Sequence, residues 1–502
     1  MFKKSINKKD LHPFLAVLFV LLQTYRLYNE NISVKLIYQI LLITGVLGIL
    51  IVIVQQFIWK KLFNSAASIS VLITFIILSF LLWEPSVNTI RSLFGFIRER
   101  YLFVSYGISL LFIFVILINL RRKKLSTLTS YTNILLAVLS LFEFYNLIFH
   151  PGHNNKINIP ELQTLRYKVK PDIYFILLDG YSNPQSTHHF FGFQNNDLTD
   201  SLRLKGFYIA EKSKSNYKFT LQTIASSLNM DYLGNPLPEL LVIFKSIKDN
   251  ILTKSLIGKG YKFENLSIFS FGNQPAPFLL ESYSPSSFEY YDVFLSRSIA
   301  GTFIRNLHTV ELNSNDIHEK TMQGFRTMDE LIQEAQTNSP QFVYLHSLIS
   351  HGPFWMNASA QFDSNVVIRN KAFANADLAR WHDDIPENNN LGDINIEQGI
   401  IKDYQNHLKI SNTFTLNSVN LILARKPNSI IIVMSDHGFR FLMRHSLKDT
   451  KAEQYSNFCA IYFPDQKYDK LYNSITPVNV FRAVLNNALG TSIPFLPDKS
   501  GL

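Results

Sequence analysis

The chain has 502 residues and a formal net charge of +10, with 47% hydrophobic and only 17% charged residues. Soluble domains carry about 25% charge, so the composition argues against a wholly water-soluble protein and places part of the chain in lipid. The single cysteine, Cys459, excludes an intramolecular disulfide and a Cys-rich zinc module, and reads as a buried strand residue in "SNFCAIYF".

In chain order, the first 150 residues read as about five membrane helices. Residues 36–58, 69–83, 101–120 and 131–149 are apolar runs that reach or approach the ~20 residues a span needs, the second with help from Ala66, Ala67 and Ser68. Residues 13–28 form a weaker first span, with Arg26 near its end. Glu143, inside the last run, reads as an interfacial or bundle-facing acid. Lys3, Lys4, Lys8 and Lys9, then Lys60 and Lys61, then Arg121, Arg122, Lys123 and Lys124 fall on one side of a five-span topology. By the distribution of basic loops that side is cytoplasmic, with Arg91, Arg98 and Arg100 a mild exception. Everything after about residue 150 is then outside the membrane. The expected domains are a transmembrane domain at 1–150, a linker at 151–167 and an outer domain at 168–502.

Apolar runs become short in the outer domain. Ile173 to Leu178 in "PDIYFILLDGYSN", Phe342 to Leu345 in "PQFVYLHSLISHGPF", the apolar run of "NSIIIVMSDHG" and "FCAIYFP" read as buried strands. Helical patterns such as residues 401–424 lie around them, whereas 381–399 is polar and turn-rich and reads as a surface loop. Alternating strands and helices predict an α/β domain with a mainly parallel sheet, which gathers ligands at the carboxyl ends of its strands.

Three strands end on polar groups there. Asp179, Asp436 and His437 form an oxygen and nitrogen set suited to a divalent cation such as Zn²⁺, Mn²⁺ or Mg²⁺. Thr220 opens a helical pattern in "SNYKFTLQTIASSLNMDYL". A hydroxyl there either caps free N–H groups or, beside a metal and at an anion-favouring helix end, serves as a nucleophile toward phosphorus. Asp403 and His407 share a helix face four residues apart, and read as solvated rather than as a second metal site. Arg440 and Arg444 read as surface cations. No Gly-rich phosphate loop, zinc-finger spacing or RNA-binding aromatic motif is present, so nucleic acid is not an expected partner.

The ordered set Asp179, Thr220, Asp436–His437 resembles the sulfatase-like branch of the alkaline phosphatase superfamily. Spans followed by an outer domain are similar to lipoteichoic acid synthases and the phosphoethanolamine transferases that decorate lipid A. "SNYKFT", "ASSLNMDYL", "HSLISHGPF" and "TPVNVFRAVLNNALG" resemble membrane-bound sulfatase-like proteins. The resemblance implies an alkaline phosphatase-like outer domain and one divalent ion held by Asp179, Thr220, Asp436 and His437. It implies Thr220 as the nucleophile, with His346, His351 and His445 holding phosphate oxygens or the leaving group. True sulfatases carry Cys or Ser in a C/S-x-P-x-R motif, whereas Thr220 is followed by Leu221 and Gln222, so formylglycine chemistry is not expected.

The expected activity is transfer of a phospholipid head group, of phosphoethanolamine or phosphoglycerol type, onto an envelope glycan or lipid at the outer face of the cell membrane. A metal-dependent phosphodiesterase or phosphatase, and an inactive envelope scaffold, are the alternatives.

Overall fold

The structure is a computed structural model. It describes residues 11–28, 46, 66–83, 86–87, 89–90, 99–119, 122–149, 170–234, 237–238, 240–277, 298–299, 314–334, 339–370, 394–440 and 452–502. The chain divides into two compact units, Met1–Asn155 with Pro285–Thr309, and Lys156–Ser284 with Val310–Leu502.

The first unit contains helices α1 (His12–Tyr28), α2 (Ala66–Leu81), α3 (Glu99–Asn119) and α4 (Arg122–Phe149). They cover four of the five expected spans. The other, residues 36–58, lies outside the described residues apart from Val46. Val17, Val20 and Leu21 of α1 pack on Ile69 and Ile73 of α2, and Glu143 is buried, in line with a bundle-facing acid. Among the described residues one stretch, Leu125–Asn146, is by itself long and apolar enough to cross a membrane; His12–Thr24, Ile69–Leu81 and Tyr101–Leu117 are shorter apolar helices. The outward sides of α3 and α4 expose large apolar residues, including Val104, Ile108, Phe112, Ile134, Leu141 and Phe142.

In the second unit the described elements run β1 (Ile173–Leu178), α5 (Pro184–Phe191), α6 (Asp197–Leu204), β2 (Tyr208–Ile209), α7 (Thr220–Asn229), α8 (Leu240–Lys248), α9 (Ile251–Gly258), β3 (Lys262–Leu266), α10 (Ser314–Gln333), β4 (Gln341–Ser347), α11 (Ser364–Arg369), α12 (Ile394–Arg425), β5 (Ile430–Ser435), β6 (Cys459–Tyr462) and α13 (Pro477–Ala488). They build one six-stranded sheet in the order β2-β6-β5-β1-β4-β3. Every residue of β1, β4 and β5 is buried. A strand covered on both faces needs apolar side chains at successive positions rather than alternate ones, which accounts for the unbroken runs in the sequence.

The sheet is mixed. β3, β4, β1 and β5 are parallel, but β6 runs antiparallel to β5, and β2 antiparallel to β6. Antiparallel neighbours need no crossover back across the sheet, and "FCAIYFP" carries no signal of its direction. β3 was not expected either, because "KFENL" is a partly exposed edge strand with charged residues. Helix α12 begins at Ile394, inside the stretch read as a surface loop.

Register is what the fold gives to chemistry. Leu178 of β1 pairs with Ser347 on one side and with Ser435 on the other. Asp179 and Asp436, each one residue beyond its strand, therefore leave the sheet side by side. His346 pairs with Leu177, two positions below Asp179, and by the two-residue strand period its side chain lies on the same face.

Candidate active site

Asp179, Thr220, Asp436 and His437 meet at the carboxyl edge of the sheet, and all four are buried. The turn after Asp179 is made by Gly180 at φ +69°, a left-handed conformation that favours glycine. The Gly180 N–H donates to Asp436 Oδ1 at 3.0 Å, tying the two strand ends together. After β5 the backbone passes so close to the 453–456 segment that a Cβ on Gly438 would lie 2.0 Å from the Glu453 carbonyl oxygen. Only glycine fits there, which explains the Asp-His-Gly run. Ser215, upstream of Thr220, donates its hydroxyl to the Asp436 carbonyl and so ties the Thr220 loop to the same edge.

Thr220 is the first residue of α7, whose N-cap is Phe219 with no side-chain cap bond. Its hydroxyl is thus not spent on capping. Thr220 Oγ1 lies 3.4 Å from each Asp179 oxygen and 3.2 Å from His437 Nε2. His437 Nδ1 donates to the Gly438 carbonyl at 2.7 Å, so Nε2 presents a lone pair. That lone pair faces Asp179 Oδ1 at 3.5 Å and Asp436 Oδ2 at 3.3 Å. Asp436 Oδ2 is buried and has no hydrogen-bond partner.

Unshared electron pairs on buried atoms do not converge without a compensating positive charge. Oxygen and nitrogen ligands sit at about 2.0–2.2 Å from a tetrahedral Zn²⁺, which separates them from one another by about 3.3–3.6 Å. Three spacings here, 3.3, 3.4 and 3.5 Å, fall within that separation and a fourth, 3.2 Å, lies just below it. The donor set also suits Mn²⁺ or Mg²⁺, and the residues present fit a divalent cation.

The electrostatics agree. Burial alone would raise the Asp179 carboxyl, but the charge of His351 and the hydrogen bond and charge of His346 hold it well below the usual carboxylate range. Burial lowers His437, against the pull of Asp436, and keeps its imidazole neutral as a ligand must be. Burial, then the charges of Asp436 and Asp179, push the Tyr344 phenol well above its ordinary value, so it stays protonated.

The three expected substrate histidines fare differently. His346 is buried, with Tyr344 Oη 3.3 Å from its Nδ1 and its Nε2 3.0 Å from Asp179 Oδ2. Both ring nitrogens are engaged, so His346 fixes the orientation of the Asp179 carboxylate. His351 is partly exposed, 3.9 Å from Asp179 Oδ1, and sits at the mouth of the cluster. His445 lies outside the described residues, as does Arg444. Arg440, read as a surface cation, is buried: it donates to His351 Nε2 at 3.0 Å and lies over the Phe219 ring, beside Thr220. Its place directly after "DHGF" was the one available signal.

The pair on α12 is neither solvated nor a metal site. Asp403 is buried and receives a two-pronged bond from Arg369, at 2.9 and 2.7 Å. His407 Nε2 accepts from the Trp355 and Met356 N–H groups at 3.3 and 3.1 Å, and its Nδ1 donates to the Asp403 carbonyl at 2.8 Å. Helix phase put both on one face, but nothing in the sequence marked that face as the one turned inward. Two further residues went unmarked: Tyr344, and Tyr404 of α12, which donates to the Gly180 carbonyl at 2.9 Å beneath the Asp179 turn.

A buried carboxylate and imidazole cluster closed by a hydroxyl thus lies at the carboxyl edge of a mixed α/β sheet, the arrangement expected of the alkaline phosphatase superfamily. The family model described as Sulfatase matches residues 199–490, more than half of the chain, and the chain belongs to the sulfatase family. The match contains Thr220, Asp436 and His437, while Asp179 precedes it. No curated protein matches the chain. Among solved structures, it is similar to the C-terminal periplasmic domain of EcEptC from Escherichia coli in complex with Zn, at 11% identity and a TM-score of 0.42, over 67% of this chain and 87% of that one. It is similar to the C-terminal periplasmic domain of phosphoethanolamine transferase EptC from Campylobacter jejuni, at 12% identity and a TM-score of 0.37, over 65% and 92%. Lipoteichoic acid synthase LtaP from Listeria monocytogenes matches at 13% identity and a TM-score of 0.36, over 63% and 72%.

Burial holds the His407 imidazole down at about 4, against an ordinary 6.5. Between those values, as pH falls, the unfolded chain takes up a proton that the folded chain refuses. Stability is therefore lost from pH 6.5 down to about 4, by on the order of 3 kcal/mol from this group. His407→Gln keeps an acceptor for the two N–H groups and removes the titration. Denaturant unfolding of this variant should give a flatter stability curve across that window, and a curve parallel to the unsubstituted protein would refute the assignment.

Proposed function

We propose that the protein is a membrane-anchored, metal-dependent transferase that moves the phosphoryl head group of a phospholipid through Thr220 to a hydroxyl of an envelope glycan or lipid. The observation that carries this reading is the position of Thr220 Oγ1, within 3.4 Å of Asp179 and 3.2 Å of His437 at the start of α7. A divalent cation held by Asp179, Thr220, Asp436 and His437 would supply Lewis acidity and ease loss of the hydroxyl proton.

The chain's own groups do the rest. The N-terminal end of α7 carries a partial positive charge that favours an anionic phosphoryl group beside Thr220. Thr220 Oγ forms a bond to phosphorus in line with the bond that breaks. The diacylglycerol oxygen leaves and takes up the proton that Thr220 has lost. An acceptor hydroxyl then attacks the same phosphorus, the Oγ–P bond breaks, and the acceptor's proton returns to Thr220. His346 keeps Asp179 aimed throughout, and Arg440 places a fixed positive charge beside His351 and Phe219. A threonine has no oxidation route to formylglycine, so sulfate-ester cleavage by that route does not apply.

The apolar residues exposed along α3 and α4 support the anchor, since helices that turn such surfaces outward are stable in lipid and not in water. With five spans and a cytoplasmic N-terminus, the catalytic unit faces the outer leaflet, where lipid donors are.

Two measurements test the proposal. Protein incubated with phosphatidylethanolamine or phosphatidylglycerol vesicles should yield a Thr220 peptide heavier by one head-group phosphoryl unit. Thr220→Ala should lack the adduct and lose turnover by roughly three orders of magnitude or more. Lipid turnover with Thr220 unmodified and replaceable would overturn the mechanism. Cell membranes washed with alkaline carbonate should retain the protein in the pellet, and its release would overturn the anchor.

A further inference from the structure

A cavity of about 700 Å³ opens in the second unit, with Asn183, Ser186, His189, Phe190, Lys212 and Lys214 among its walls. None of Asp179, Thr220, Asp436, His437, His346 or His351 lines it. Apart from Phe190, Ala452 and the His189 imidazole, the described lining consists of hydroxyl, amide and charged side chains. Polar groups are spread through this wall, so a ligand that fills it must offer polar partners of its own. Hydroxyls and amides around one aromatic ring suit a ligand that carries many hydroxyl groups of its own.

The charge balance selects among such ligands. Three lysines of the lining, Lys212, Lys214 and Lys499, stand against two acids, one of which is neutralised from outside it. Glu211 pairs with Arg203 at 2.9 Å, and Asp498 Oδ1 accepts from Thr476 Oγ1 at 2.7 Å and from Asn479 at 3.0 Å. Among the described residues no acid pairs with Lys212 or Lys214. The cavity therefore presents unbalanced positive charge, which favours an anion over a neutral sugar.

The walls are held in place before any ligand arrives. The Lys212 N–H donates to the Asn473 carbonyl at 3.0 Å, and the Ser213 hydroxyl donates to the Ile475 carbonyl at 2.6 Å. Lys214 forms a β-bridge with Ser456. A ligand entering this groove does not have to order the backbone, which lowers the cost of binding. The same backbone leads into the catalytic cluster. Ser215 follows Lys214 and donates to the Asp436 carbonyl, and Asn183 lies four residues after Asp179.

We infer that this groove binds an acidic saccharide, a sugar chain bearing carboxylate or phosphate groups, and that it seats the acceptor. The role as acceptor seat rests on the transfer reading above, so the test reads binding alone. Full-length protein in detergent is titrated by calorimetry with tetragalacturonic acid, with neutral cellotetraose and with inorganic tripolyphosphate. The acidic tetrasaccharide should bind, more weakly as salt rises, and the neutral one should not. Lys212→Glu with Lys214→Glu, both exposed, should weaken binding at least tenfold at an unchanged unfolding midpoint, whereas Thr220→Ala should leave it intact. Equal binding of the neutral sugar, or no effect of the double substitution, would overturn the proposal. Tripolyphosphate displacing the tetrasaccharide at equal concentration would also overturn it, since the groove would then be an anion patch without sugar recognition. Saccharide binding by a protein that shows no Thr220-dependent transfer would count against the catalytic reading and leave the groove standing.

Discussion

Four buried donor atoms from three separate stretches of chain point at one another with a single hydroxyl proton between them. Two belong to carboxylates, one to an imidazole whose only proton is turned away toward Gly438, and one to Thr220. In a medium of low dielectric such an arrangement is repulsive unless a positive charge lies among the donors. Packing elsewhere over-determines it: the parallel register aligns Asp179 with Asp436, the Gly180 N–H bridges them, and the close approach at Gly438 leaves the backbone no alternative path. A cation held there would turn this convergence from a cost into a source of stability, and would couple metal binding to the folding of the strand ends.

The surrounding side chains fall into an order that follows from this. His346 and Tyr344 form a chain that ends on Asp179 and fixes which way its carboxylate faces. Tyr404 and Ser215 fasten the two loops that carry Asp179 and Thr220 to helix α12 and to the Asp436 backbone. Arg440 and His351 are bonded to one another beside the cluster and bring positive charge to it. The helix N-terminus at Thr220 adds a partial positive charge in the same direction.

Much of this was legible from residue order, for a physical reason. Strands buried on both faces must be continuously apolar, so a run such as Ile430 to Met434 that stops at Asp436–His437 marks both a central strand and the edge where chemistry gathers. Thr220 was readable because a helix with no capping side chain still begins on a hydroxyl. What could not be read is anything set by partners distant in sequence. The direction of β6, the half-exposed edge strand β3 and the burial of Asp403, His407 and Arg440 all depend on what packs against them. His346 illustrates the limit best: a histidine at a strand end in such a fold suggests substrate contact, and only the positions of Tyr344 and Asp179 show that both of its nitrogens are taken.

The most direct test is an X-ray crystal structure of the metal-loaded protein, with anomalous diffraction recorded across the absorption edge of the bound ion. One strong peak should appear within coordinating distance of Asp179, Thr220, Asp436 and His437 together. A peak bound elsewhere, or a cluster that keeps these spacings while holding no ion at saturating metal, would contradict the account.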